Sequence, residues 1–134
     1  MLARSLWLQG FVDQAKSVAQ ASLIDAETAN DKLTIRFALA LAVSPIALIT
    51  GDLVTAERSL YMLIETATRQ SFARYVMVGR CLEAALLIER REFEAGTALT
   101  RQVLSPVYDR FTEGFEAADL RCARAILESC GLTA

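Results

Sequence analysis

Hydrophobic positions along this chain fall in blocks that repeat. After Gly10, Gly51 and Arg91, positions +2, +5 and +12 or +13 are mostly apolar or small: Val12, Ala15 and Leu23; Leu53, Ala56, Leu63 and Ile64; Phe93, Gly96, Val103 and Leu104. Gly10, Gly51 and Gly131 stand 41 and then 80 residues apart, with Arg91 where the intervening turn belongs. Between these points apolar residues recur three or four apart, the spacing of a helix face. A period of about 40 residues built from two helical segments predicts stacked helical hairpins, each burying its apolar face on its neighbours.

The pattern places the end of one helix at 2–9 and a second from Phe11 to about Ala26. A polar break follows, where Asn30 or Asp31 is expected to cap the free amides of the next helix. The third helix covers about 32–50 and is apolar on most sides. Pro45 inside it removes one backbone hydrogen bond, which predicts a kink near Leu41–Pro45. Gly51 ends that helix, and Asp52 opens the fourth, about 52–68. Ser71 is expected to cap the fifth, about 71–90, and Ser105-Pro106 to stop the sixth, about 92–104. The seventh begins between Val107 and Glu113 and runs to Cys130, with Phe115, Ala118, Cys122, Ala125 and Ile126 as its stripe. The expected fold is an all-α, right-handed solenoid of about seven helices in antiparallel hairpins, one domain over residues 1–134. The chain opens late in a first-type helix and closes just after Gly131, where a second-type helix should begin. That is the look of a segment from a longer array. Leu6, Trp7 and Leu8 read as an exposed stacking face and a route to homo-oligomers.

The blocks resemble the tetratricopeptide repeat class, in which a small residue five positions after the turn lets two helices approach closely. Ala15, Ala56 and Gly96 occupy that place, and Val12, Leu53 and Phe93 match the large residue two after the turn. The unit is longer than the usual length of about 34 residues. More narrowly, Leu6-Trp7-Leu8-Gln9-Gly10-Phe11-Val12-Asp13-Gln14-Ala15 resembles a phrase in the C-terminal helical arrays of large bacterial transcriptional regulators and adenylyl/guanylyl cyclases. Phe37-Ala38-Leu39-Ala40, Gly51-Asp52, Phe72, Tyr75, Gly79 and Glu94-Ala95-Gly96 continue the likeness across residues 3–104; Pro45 and Arg91 depart from it. In such proteins a cyclase or winged-helix domain and a signalling NTPase domain precede the array. The resemblance therefore implies a non-catalytic interaction or sensory scaffold. Trp7 is expected to pack between adjacent repeats rather than serve as a ligand platform, and Tyr75, one turn before Gly79, to cover the gap that glycine leaves.

Composition narrows the picture. Of 134 residues 54% are hydrophobic, above the roughly 45–50% usual for soluble domains, with only six glycines and two prolines. Such a chain is helix-rich and leaves apolar surface over. The net charge is −2 with dispersed Lys and Arg, so no positive face for nucleic acid is expected. Cys81, Cys122 and Cys130 form no paired motif and read as reduced, mostly buried thiols of a cytoplasmic protein. The uncharged run Phe37–Thr50 is shorter than the about 20 apolar residues of a membrane span and reads as a buried helix. With no histidine, Ser-His, Cys-His and histidine–zinc sites are absent. No GxxxxGK[ST] or GxGxxG segment exists to cradle phosphate. No cofactor, metal or enzymatic activity is expected.

In tetratricopeptide arrays the first helices line a concave groove. That frame places Leu41, Pro45 and Leu48, with Ala38, in the groove from one repeat, and Val78, Cys81 and Ala85, with Ile88, from the next. Arg36, Arg74 and Arg80 are the candidate polar contacts nearby. Two readings stand. Either the apolar residues are core, buried against one another or beneath helix seven, or they receive an amphipathic helix from a protein or peptide partner, another copy, or a neighbouring domain of the parent chain. The arginines are either such contacts or solvated residues paired with Glu83 and its neighbours. A small-ligand sensor with an apolar pocket and a structural homodimerisation module are the alternatives of other classes.

Overall fold

Left-handed residues punctuate the chain at regular intervals: Gly10, Asn30, Gly51, Ser71 and Arg91 all have φ between 51° and 88°. At each, the amide bonds to the carbonyl three back and the following amide to the carbonyl five back. Gly51 pairs with Leu48 and Asp52 with Ala47; Arg91 pairs with Ile88 and Glu92 with Leu87. These Schellman turns satisfy the last carbonyls of each helix and reverse the chain. The computed structural model describes residues 2–131. Among them stand seven helices and no strand: α1 (Leu2–Leu8), α2 (Val12–Thr28), α3 (Lys32–Ile49), α4 (Leu53–Arg69), α5 (Ala73–Glu89), α6 (Phe93–Tyr108) and α7 (Ala118–Ser129). The chain is all-α.

Arg91 occupies its turn without the freedom of glycine, at φ 62° and on an exposed site. A residue with a Cβ is strained in that conformation, by roughly 1–2 kcal/mol. Glycine relieves the strain but gains freedom in the unfolded chain. Arg91→Gly is expected to stabilise the fold by about 0.5–1 kcal/mol, read as a higher urea midpoint with unchanged slope. A lower midpoint would show that the arginine side chain carries a contact worth more than the strain.

Asp31 and Asp52 cap α3 and α4. The Asp31 carboxylate accepts from the Leu33 and Thr34 amides at 3.0 and 3.4 Å and from the Thr34 hydroxyl at 2.5 Å; Asp52 accepts from the Thr55 amide at 3.1 Å. The Thr34 hydroxyl and amide hold the Asp31 carboxyl below the usual carboxylate range. That cap therefore contributes stability above the ordinary aspartate range and loses it as pH falls.

Pro45 has no N–H to offer the Leu41 carbonyl, and the chain answers with a π turn over Leu39–Val43, closed by the Ser44 amide on the Leu39 carbonyl. This turn holds one additional residue. It accounts for the 21 positions from Asn30 to Gly51, where the other left-handed residues from Gly10 to Arg91 stand 20 apart. Directly after it, the buried Ser44 hydroxyl donates to Ser59 of α4 at 2.8 Å, and Ser59 donates to the Ala56 carbonyl at 3.0 Å.

Helices pack chiefly on their chain neighbours, from α1 on α2 through α6 on α7, with second-neighbour contacts joining α1 to α3 and α3 to α5. One buried cluster joins Ala3, Ala15, Ala19 and Leu23 to Leu39, Val43, Ile46 and Leu63, with half-buried Trp7, Tyr75 and Val78 against it. A second joins Ala47, Ala56, Leu60 and Leu86. Ala15 and Ala56 are fully buried, and Gly96 is buried too. A Cβ on Gly96 would lie 2.8 Å from Ile88 Cγ1 and 3.3 Å from the Ala84 carbonyl oxygen.

Several expectations are corrected. Ser71 does not cap α5; it is the left-handed residue before it, and Phe72 holds the cap position. Pro106 does not stop α6, which runs on to Tyr108, because a proline so near the end forfeits a single backbone bond. The seventh helix starts only at Ala118, after an irregular stretch with Gly114 at φ 76°. It buries Leu120 and Leu127, whereas Ala118, Cys122, Ala125 and Ile126 are exposed. The space beside Gly79 is filled by Ile64, whose Cγ1 would lie 2.6 Å from an added Cβ, and not by Tyr75. The cysteines are not mostly buried: Cys81 and Cys122 are exposed and Cys130 is intermediate. The helix expected after Gly131 falls on residues 132–134, which lie outside the described residues.

Candidate interaction surface

α3 buries most of its circumference and leaves one stripe open. Leu33, Phe37 and Leu41, each four residues on, are exposed, as is Ile49; Pro45 and Leu48 are half-buried. On α5 the matching stripe is Met77, Cys81 and Ile88, with Val78 and Ala85 half-buried and Arg74 exposed at its start. Phe37 meets Tyr75 edge-on at 5.8 Å, which holds the two stripes side by side. Of the sequence-derived set, Ala38 alone among the apolar members is buried, at 7% exposure. Helix α7 packs on α6 and leaves both stripes uncovered.

Arg36 is not at this surface. It is 3% exposed, its guanidinium lies 4.1 Å from the Phe72 ring centre and 5.8 Å from that of Tyr75, and it donates to the Gln70 side chain. Its Nε is buried without a partner among the described residues. Arg36 lies one turn before the buried Ala40 and faces the interior with it, while its neighbour Phe37 stays exposed.

Arg80 pairs with Glu83 at 2.8 Å. It belongs to a feature that the sequence reading missed: an open cavity of about 560 Å³ between α4 and α5. Leu60, Ile64, Leu86 and Leu87 line it, and three ion pairs ring it, Arg69–Glu65 at 2.7 Å, Arg80–Glu83 and Arg90–Glu57 at 2.8 Å. Arg90 grips Glu57 with two bonds and holds its carboxyl below the usual range. A signal was present: α5 carries Arg80 and Glu83 where α3, forty residues earlier, carries the buried Ala40 and Val43.

Among family models, curated proteins and solved structures, none matches this chain. Among the described residues no group of three or more His, Cys, Asp or Glu stands close enough to hold a metal ion. The Cys81 thiol is pushed up by desolvation, which keeps it protonated at neutral pH and a poor nucleophile. α3 has the length and composition to cross a bilayer, yet half of it is buried inside the fold. What the stripes offer is exposed apolar side chains on two helices joined by the Phe37–Tyr75 contact.

Proposed function

We propose that this chain is a non-catalytic interaction scaffold, a tetratricopeptide-like array of stacked hairpins acting in the cytoplasm as part of a larger bacterial signalling or transcriptional regulator. Its right-handed stacking would carry the α3 and α5 stripes into one groove that receives an amphipathic helix of a protein or peptide partner. The observation carrying this reading is the pair of adjoining apolar stripes, Phe37, Leu41 and Ile49 beside Met77, Cys81 and Ile88, exposed and uncovered. The repeated Schellman turns and neighbour-on-neighbour packing support the array.

The test is selection of helical peptides on the intact chain, followed by Leu41→Glu and Cys81→Glu. Both sites are exposed, so each variant is expected to melt within about 0.5 kcal/mol of the parent while losing peptide binding tenfold or more. Unfolding of either variant would show that the stripe is core, and undiminished binding would place the partner elsewhere. Sizing at several concentrations adds one discrimination: association that Leu41→Glu abolishes makes a second copy the partner.

A further inference from the structure

The chain contains the same volume twice, once filled and once open. In the first instance Arg36 donates to Gln70 and lies under Phe72 and Tyr75, which close the space between α3, α4 and the start of α5. Moving on by 41 residues ahead of the π turn, as from Asn30 to Ser71, Met77 stands for Arg36. Moving on by 40, as from Gly51 to Arg91, Arg110 stands for Gln70 and Phe115 for Tyr75. The second closure does not form. The chain leaves α6 without a Schellman turn, the Phe111 amide bonding only to the Tyr108 carbonyl at 3.1 Å. Phe115 turns away to Tyr108, at 5.9 Å between ring centres, and beneath Arg124 at 5.8 Å.

What remains is a cleft of about 510 Å³ between the first half of α5 and the last half of α6. Val76, Met77, Val103, Pro106 and Val107 give it apolar walls, Arg80 and Arg110 stand in its lining, and no Asp or Glu does. Arg80 is engaged by Glu83, whereas Arg110 forms no ion pair among the described residues. Through Thr68 and Arg80 the cleft adjoins the cavity between α4 and α5. Its volume lies within the range of about 300–1,000 Å³ typical of ligand sites, which combine apolar walls with a few convergent polar groups.

We propose that this cleft binds a small organic carboxylate with an apolar body, its chain or ring against Val76, Met77, Val103 and Val107 and its carboxylate on Arg110. An apolar body replaces the aromatic cover found in the preceding unit, and the carboxylate supplies the charge that the lining lacks. The site shares only Met77 with the stripes on α3 and α5; Arg110 and its other walls lie outside them, so Arg110→Gln and Leu41→Glu test it separately from the scaffold reading.

Decanoate below its micellar concentration is the probe, with decanol as the neutral match, titrated into the full chain by calorimetry and thermal melting. Saturable one-to-one binding of decanoate with a rise in Tm is expected, and a clearly smaller rise with decanol at equal free concentration. Arg110→Gln, at an exposed position, is expected to leave the unliganded Tm unchanged and to weaken decanoate about tenfold. Leu41→Glu is expected to leave it intact. Absence of saturable binding, equal response to decanol, full affinity in Arg110→Gln, or loss in Leu41→Glu would each overturn the proposal.

Discussion

Replacing Leu63 with alanine is expected to remove about 3–5 kcal/mol of stability. Leu63 is fully buried in α4, within the cluster that contains Leu39 and Ile46 of α3. On its other side it borders α5, where a Cβ built on Gly79 would lie 3.7 Å from Leu63 Cδ2. One side chain thus joins three consecutive helices. Truncation loses its transfer free energy and leaves a cavity that neighbours on three helices cannot all move to fill. A domain of this size has about 5–15 kcal/mol in all, so about a fifth or more of its stability goes with one residue. Urea melts followed by circular dichroism read this directly, with Tyr61→Ala as control. Tyr61 lies on the same helix but is 70% exposed, and its loss is expected to cost less than about 0.5 kcal/mol. A Leu63→Ala cost below about 1 kcal/mol would mean that α3, α4 and α5 do not meet as described.

Arg36 is expected to behave in opposite ways under two substitutions. Arg36→Ala should cost roughly 3 kcal/mol, because it empties the space beneath Phe72 and Tyr75 and removes the donor to Gln70. Arg36→Met should be neutral or stabilising by up to about 2 kcal/mol. Arg36 is 3% exposed, and among the described residues it forms no ion pair and has a buried Nε without a partner. An ion taken out of water without a paired carboxylate is costly, and its attraction to the rings returns only part of that cost. A methionine keeps the long apolar stem against the rings without the charge. The chain itself places Met77 at the corresponding point of the following unit. Thermal melts of the two variants side by side decide the matter: Arg36→Met as damaging as Arg36→Ala would show that the charge itself holds the junction.

Much of the helix layout was legible because it depends on neighbours in sequence. Asp31 and Asp52 precede apolar periodic runs and cap the helices that begin there. Gly10 and Gly51 adopt the left-handed conformation that closes a helix. Asn30 and Ser71 escaped that reading because polar residues at a helix boundary suit a start as well as a stop, and only the backbone shows which occurs. Pro106 misled for a related reason. Its cost depends on whether one lost hydrogen bond falls in the interior of a helix or in its last turn.

The surface was legible only in outline. Helical spacing put Leu41, Cys81 and Arg36 near a common face, but a stripe read from spacing is blind to its neighbours. Arg36 and Leu41, five residues apart, lie on different sides of α3, and Arg36 passes inward beneath Phe72 and Tyr75 while Leu41 stays out. The two cavities flanking α5 left only the charges Arg80 and Glu83 as a trace, because a cavity is a shortfall of packing between side chains of different helices, which the spacing within one helix does not encode.

By itself, the sequence determined that this chain is helical, where most of its helices begin and end, and that no histidine-based chemistry is available to it. Those are matters of short-range hydrogen bonding, proline and glycine geometry, and residue inventory. Tertiary structure alone decided that Arg36 lies under two rings, that Ile64 fills the space beside Gly79, and that one inter-helical volume is closed while its successor is open. Each of these depends on how side chains from three helices share one space, which no single helix encodes.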